Sequence, residues 1–287
     1  MVEMAALDGA STYRQGIAGD TFNTAVYLAR TGHDVSYLSH LGDDSLSDGI
    51  VAAMTAEGID TGLVTRRHGR RPGLYLIDND DSGERQFSYW RNEAPVRQMF
   101  DQAVAVAGPL ESVEAFYFSG ITLAVTRSGS EQLLDLLQRL RARSCRIAFD
   151  PNYRPHLWDN VEQAQACIRQ ILPMVDIALP TLEDETALWG VQSVDECRAL
   201  YQQYDVEELV IKGADLTSHV FCPEQSLSQR AEAVAATDTT GAGDSFNGAY
   251  LGARWRGDSI QAALTAAQSL SAQVVQHRGA ILPAAKD

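Results

Sequence analysis

Asp238-Thr239-Thr240-Gly241-Ala242-Gly243-Asp244-Ser245-Phe246 runs directly into the small-residue stretch 247–253, which reads as a helix. Glycine and alanine let a backbone approach a ligand closely, and a helix's first turn points its unpaired N–H groups and positive dipole end outward. Gly241, Ala242 and Gly243 are therefore a candidate anion hole, able to hold the charge that builds on a transferring phosphoryl group. Asp244 stands at its mouth, where a carboxylate can take the proton from an attacking hydroxyl. The same residues also suit a plain glycine turn, with Asp244 as a helix N-terminal charge favoured by the dipole. No G-x-x-x-x-G-K-[ST] occurs, and the glycines lie too near the C-terminus for a first-strand dinucleotide fingerprint.

Upstream, helical and extended patterns alternate. Residues 115–118, 146–149, 175–179 and 209–211 read as strands, with a leucine-rich helix over 131–141 between the first two. That alternation predicts an α/β fold, a doubly wound and mostly parallel sheet with helices on both faces. Further back, 22–30 is a helix stopping at Gly32, 35–38 a strand, and 46–57 a helix ending at Gly58, before another strand. Runs 74–78 and 86–91, separated by Asn79-Asp80-Asp81-Ser82-Gly83, form a hairpin signature. A hairpin does not fit a parallel sheet, so it is expected as a small β-rich insertion at the sheet's edge.

The net charge of −15 argues against nucleic acid or an anionic membrane as partner, since both need a basic face. It also means that an anionic substrate must be met by locally placed Arg or Lys. Cys145, Cys167, Cys197 and Cys222 are widely spaced, which fits reduced thiols in a cytoplasmic protein rather than a zinc site or disulfide framework. There is no signal-peptide pattern and no apolar run long enough to span a bilayer.

The segment 238–251 resembles the C-terminal signature of the ribokinase-like carbohydrate kinases, the phosphofructokinase-B type. The resemblance implies that Asp244 is the catalytic base and that Gly241, Ala242 and Gly243 form the anion hole. Ala18-Gly19-Asp20-Thr21-Phe22-Asn23 resembles the family's N-terminal sugar-binding segment, with Ala18 where a first glycine is usual. Read alone, it equally suits a helix N-terminus capped by Asp20 or Thr21. Val210-Ile211-Lys212-Gly213-Ala214-Asp215 resembles the strand and loop that pack over the nucleotide, although the family usually has one more residue or a second glycine there. By the resemblance Asn152, Lys212, Gly213, Asp215, Gly241 and Gly243 contact ATP. Gln268 falls where the family helix lines the adenine pocket, a position that suits core or surface packing equally well. The family's Asn-x-x-Glu reads Thr181-Leu182-Glu183-Asp184 here, leaving Asp184 as the carboxylate for a metal. ATP as co-substrate and Mg²⁺ are implied, and a monovalent cation is compatible.

A sugar acid needs a cation that grips a carboxylate, and two arginines suit that task. Tyr89 and Arg91 share one side of the second hairpin strand, and Arg154 follows a parallel strand, where doubly wound sheets bind ligands. Tyr89-Trp90-Arg91-Asn92, Asp150-Pro151-Asn152-Tyr153-Arg154 and His277-Arg278-Gly279-Ala280 are similar to the 2-keto-3-deoxygluconate kinase branch of the family. That similarity implies substrate contacts at Gly19, Asp20, Asn23, Tyr75, Tyr89, Arg91 and Arg154, and phosphate transfer to the terminal C6 hydroxyl. Kinases of fructose or another keto-sugar acid, and a catalytically silent sugar-binding regulator, remain the alternatives. The expected organisation is one kinase domain over 1–287, a lid mainly from 63–91 with a contribution from 8–17, and exposed lid strands that fit a homo-oligomer. The family opens with an apolar strand near the middle of the sheet. Met1-Val2-Glu3-Met4-Ala5 resembles only its tail, so a truncated first strand is expected, a naturally shortened relative being the other reading.

Overall fold

The structure is a computed structural model describing residues 1–7, 12–79, 85–105, 107–223 and 225–284. β1 (Val2–Ala6) pairs antiparallel with β2 (Tyr13–Ile17), Val2 opposite Ile17. α1 (Asp20–Arg30) follows, with Gly19 at its N-cap; Asp20 is its first helical residue and provides no cap. β3 (Ser39–Gly42), α2 (Ser45–Ala56) and β4 (Val64–Arg67) come next, and Asp44 caps α2 by accepting from the Ser47 N–H at 2.9 Å. The expected strand at 35–38 is displaced to 39–42. Only Ser36 bridges to Asp60, because the chain then turns through Thr61–Leu63 and meets β3 again at Val64.

β5 (Leu74–Asn79) and β6 (Arg85–Trp90) form the expected antiparallel hairpin; residues 80–83 of its turn lie outside the described residues. With β1 parallel to β5, the hairpin completes a four-stranded sheet of order β2-β1-β5-β6. Residues 63–91 thus divide between this sheet and β4, which pairs with β3.

The remainder is the alternating α/β body: β7 (Ala115–Ser119), α3 (Gly120–Val125), α4 (Ser130–Arg141), β8 (Arg146–Asp150), α5 (Val161–Ile171), β9 (Ile177–Ala178), α6 (Leu182–Trp189), α7 (Val194–Gln202) and β10 (Glu208–Lys212). The four strands are parallel, and β11 (Thr217–Phe221) and β12 (Ser226–Arg230) extend them antiparallel, giving the order β12-β11-β10-β9-β8-β7. Period-two alternation sorts the strand side chains between two cores. Ile147, Phe149, Leu209 and Ile211 pack with Leu133, Leu136, Leu137 and Leu140 of α4, whose spacing of three and four puts them on one stripe. Ala148, Ile177 and Val210 face the opposite core, built with α8 (Ala242–Trp255) and α9 (Ile260–Val274).

α1 crosses α8 closely enough that side chains would clash. A Cβ on Gly248 would lie 2.7 Å from Tyr27 Cβ, and one on Gly252 would lie 2.4 Å from Thr31 Oγ1. Glycine at both positions brings the start of α1 beside the start of α8, and that junction builds the site.

β7 pairs with β8 alone and β3 with β4 alone among the described residues, leaving one backbone edge of each without a strand partner. Between them lies a cavity of about 930 Å³, lined by Leu38 and Leu41 on one side and Phe116 and Phe118 on the other. Met1 also lines it, and its amino group donates to the Ala18 carbonyl at 2.9 Å.

Candidate active site

Gly241 caps α8 in the left-handed region, φ +77°, so the N–H groups of Ala242, Gly243 and Asp244 occupy the helix's first turn. Any Cβ at Gly241 would press on Ala280, with 2.6 Å to its Cβ. Asp238 fixes the loop by accepting from Thr240 N at 2.9 Å and Gly279 N at 2.8 Å. The His277–Ala280 segment singled out in the sequence therefore braces the anion hole from behind.

Asp244 Oδ2 accepts a 2.8 Å hydrogen bond from Asn23 Nδ2. Burial, then Asp20 and Asp150, push its carboxyl up from 3.8 to about 7, while Asn23 and Lys212 oppose the shift. A half-buried carboxyl poised near neutrality at a helix N-terminus suits a general base. Asp20 lies close by and accepts a short hydrogen bond from Ser119; burial raises its pKa as well. Gly19 takes part through its N–H, which donates to Asn23 Oδ1 at 3.4 Å.

Lys212, at the end of β10, reaches the anion hole, where a Cβ on Gly243 would stand 3.9 Å from its Nζ. Its ammonium donates to Asp150 Oδ2 at 3.2 Å and Asn247 Oδ1 at 3.0 Å, and Asn247 Nδ2 donates to Asp150 at 2.6 Å and to Tyr117 OH at 3.2 Å. Sequence reading missed Asn247 and Asp150 as members of the site. Asn247 stands three residues after Asp244 on the same helix face, and that spacing was the available signal. Asp150 sits at the carboxyl end of β8, where α/β sheets gather ligand groups.

The expected nucleotide residues fall on this side. Asn152 has φ +36° and a buried Oδ1 with no protein partner, an acceptor aimed at nothing within the described fold. Gly213 N donates to Thr217 O at 2.9 Å, and Asp215 ties the same turn by accepting from Thr217 N and Oγ1 at 3.0 and 2.8 Å. Gln268 is buried; its Nε2 donates to Gln229 O at 2.8 Å and its Oε1 accepts from Gln229 Nε2 at 2.8 Å. In this arrangement its carboxamide joins α9 to β12.

Tyr75 and Tyr89 lie in the four-stranded sheet, and Arg91 directly follows its strand β6. The Tyr75 hydroxyl donates a short hydrogen bond to Glu3, and its ring centroid is 6.0 Å from that of Tyr89. Arg91 Cζ lies 4.3 Å above the Tyr89 ring. Arg154 instead points to Asp184, with Nη1 3.1 and 3.0 Å from the two carboxylate oxygens. This is a partner that sequence could not identify, because Asp184 arrives on a different helix, α6.

A magnesium cage needs several oxygen ligands, and the described residues contain no group of three or more His, Cys, Asp or Glu able to hold a metal. Both Asp184 oxygens face Arg154, and Asp150 Oδ2 faces Lys212 and Asn247. The donor set fits an ion carried in by nucleotide phosphates rather than one caged by the protein. No helix among the described residues is long and apolar enough to cross a membrane.

The family model described as pfkB family carbohydrate kinase matches residues 5–287. The 2-dehydro-3-deoxygluconokinase of Escherichia coli K12 is 40% identical over 281 residues, covering 94% of this chain and 91% of the relative. That of Dickeya dadantii is 39% identical over 282 residues, covering 94% and 90%. The crystal structure of 2-dehydro-3-deoxygluconokinase from Thermotoga maritima superposes with a TM-score of 0.87 at 22% identity, covering 99% of this chain and 93% of that one.

Proposed function

Because this chain belongs to the pfkB family of carbohydrate kinases, we propose that it phosphorylates the C6 hydroxyl of 2-keto-3-deoxygluconate with ATP. The observation that supports the reading is that Asp20 acts electrostatically on both the candidate base, Asp244, and the candidate carboxylate cation, Arg91. Asp244 is half-buried and hydrogen-bonded to Asn23 at the mouth of the anion hole, and Arg91, directly after β6, packs on the Tyr89 ring and lines the same cavity as Asp20.

The catalytic step follows from these positions. Asp244, ionised, accepts the proton of the sugar's terminal hydroxyl, and the freed oxygen pair forms the new O–P bond to the γ-phosphorus. The bond to the β–γ bridging oxygen breaks, and its electron pair leaves on ADP. N–H groups of Ala242, Gly243 and Asp244 stabilise the transferring group, with the Lys212 ammonium near Gly243. Bound together with ATP, Mg²⁺ would neutralise the phosphate charge. Asn23 aims the base; Gly19 and Asp20 face the sugar hydroxyls; Tyr75, Tyr89 and Arg91 take the acid end. Arg154 reaches the same carboxylate on exchanging Asp184, and Asn152, Gly213 and Asp215 border the nucleotide. The sheet that contains β5 and β6, carried on a hairpin, acts as the lid over the cleft.

An ATP-coupled assay over a panel of neutral sugars and sugar acids tests the reading. Turnover should be confined to the keto-sugar acids, with 2-keto-3-deoxygluconate giving the highest kcat/KM. Preference for fructose, or no turnover on any sugar, would overturn it.

A further inference from the structure

His156 lies between the two halves of the site and has no role in the mechanism above. It is on the single-turn segment Pro155–Leu157 that follows Arg154, so it belongs to the α/β body. Its ring stacks on Tyr89 of the four-stranded sheet, with centroids 5.7 Å apart and planes at 24°. Its Nε2 lies 3.2 Å from Arg91 Nη2. A guanidinium can only donate, so Nε2 is the acceptor and the neutral ring carries its proton on Nδ1. Arg91 is thereby held on two sides, by the Tyr89 ring face and by the imidazole nitrogen.

We propose that His156 is a positioning residue for Arg91: from the body side it fixes the guanidinium so that the remaining N–H groups meet the substrate's carboxylate, and it thereby sets affinity for acidic sugars. The proposal rests on the assignment of Arg91 to the sugar acid. A long flexible cation on a sheet edge loses rotamer freedom when it binds, and a neighbour that orders it beforehand removes that loss from the binding step. His156 also joins the two sheets' halves of the cleft, so the same contact ties seating of Arg91 to seating of the Tyr89 strand.

The contact depends on a neutral ring. The groups that act on His156 are the Arg91 and Arg154 cations with the Tyr89 ring, and burial followed by these two arginines holds its pKa below the ordinary histidine value. Protonation would convert Nε2 to a donor and set a third cation beside two, so Arg91 would be released as pH falls through that value.

The test is steady-state kinetics of wild type, His156→Ala and His156→Gln with 2-keto-3-deoxygluconate and ATP from about pH 5 to 8. His156→Ala should raise KM for the sugar acid about 5- to 20-fold, with kcat and KM for ATP nearly unchanged. His156→Gln, an acceptor at every pH, should restore it. The wild-type to His156→Gln ratio of kcat/KM cancels the titration of Asp244 and should fall in acid. An unchanged sugar-acid KM in His156→Ala, or a flat ratio, would overturn the proposal. Imidazole NMR of the protein without substrate gives an independent reading: the His156 pKa should rise in Arg91→Ala. No rise overturns the His156–Arg91 contact itself. A rise in a protein that does not use sugar acids overturns the substrate assignment instead.

Discussion

Asn23 Nδ2 meets Asp244 Oδ2 at 2.8 Å although 221 positions separate the two residues in the chain. The contact joins the first turn of α1 to the first turn of α8, and Gly248 and Gly252 let the two helices come that close. The carboxamide donates, so it favours the charged carboxylate against burial and the neighbouring Asp20 and Asp150. Those opposing influences leave Asp244 near neutrality, and the first two predictions follow from that balance.

Asp244→Asn keeps the shape and can still accept from Asn23 but cannot take a proton. Turnover should fall by about 10²-fold or more with little change in ATP affinity. The same variant should be more stable than wild type above pH about 7, the raised value for Asp244. The sign follows from linkage. The folded carboxyl holds its proton to about 7 and the unfolded one only to 3.8, so wild type loses stability as pH rises across that window. Thermal melts of the pair should coincide below that window and separate above it. Near-normal turnover, or a variant less stable at pH 8, would remove Asp244 from this role.

Asn23→Ala removes the donor that opposes the upward shift. The acid limb of the kcat/KM profile, set near pH 7 by Asp244, should move to higher pH. A pH–rate profile checks this, and an acid limb that stays put or moves down would show that Asn23 does not tune the base.

Arg91→Ala should weaken use of the sugar acid by about 1.5–3 kcal/mol, the loss of a charged hydrogen bond, with ATP binding nearly unaffected. Arg91→Lys should recover only part of it, since an ammonium keeps the charge without the planar fork. Competition with a neutral sugar analogue separates the cases. An equal loss for both ligands would mean that Arg91 serves the lid and not the carboxylate.

How far the sequence could be read depended on whether the signal was local. The glycine loop and α8 were legible because a close-approach turn and a helix start are written in consecutive residues. The strands at 146–149 and 209–211 were legible from short apolar runs, and the hairpin of β5 and β6 from its turn. The strand at 39–42 was misplaced by four residues because its ladder is set by where β4 returns, a matter of the distant Thr61–Leu63 turn. Partnerships such as Arg154 with Asp184, Lys212 with Asn247, and Arg91 with His156 span 30, 35 and 65 positions. No periodicity reports a contact between different elements; it is fixed only when the sheets are assembled.

The cavity between β3 and β7 yields the last prediction. Each strand has one edge without a strand partner among the described residues, and apolar side chains from both sides face the space of about 930 Å³. Buried N–H and C=O groups left unpaired cost about 1–3 kcal/mol each, and open apolar walls of this extent attract apolar ligands. We propose that the space fits one further extended strand. A fusion placing about six β-branched and apolar residues ahead of Met1 supplies a strand of ordinary length where Met1 already lines the cavity. It also converts the Met1 ammonium, which donates to Ala18 O at 2.9 Å, into a neutral peptide N–H that can make the same bond. Burial lowers that ammonium's pKa from 8.0 to about 6, so the stability of a chain starting at Met1 rises with pH between those values as the unfolded amine releases its proton. The share of the gain that comes from neutralising the terminus should therefore be full below pH about 6 and gone above about 8, while the share from pairing and packing persists at both. Scanning calorimetry at the two pH extremes, with an apolar fluorescent dye as reporter of the open space, measures both. The fusion should melt higher and bind less dye. Equal melting temperatures with undiminished dye binding would show that β3 and β7 close on each other without an intervening strand.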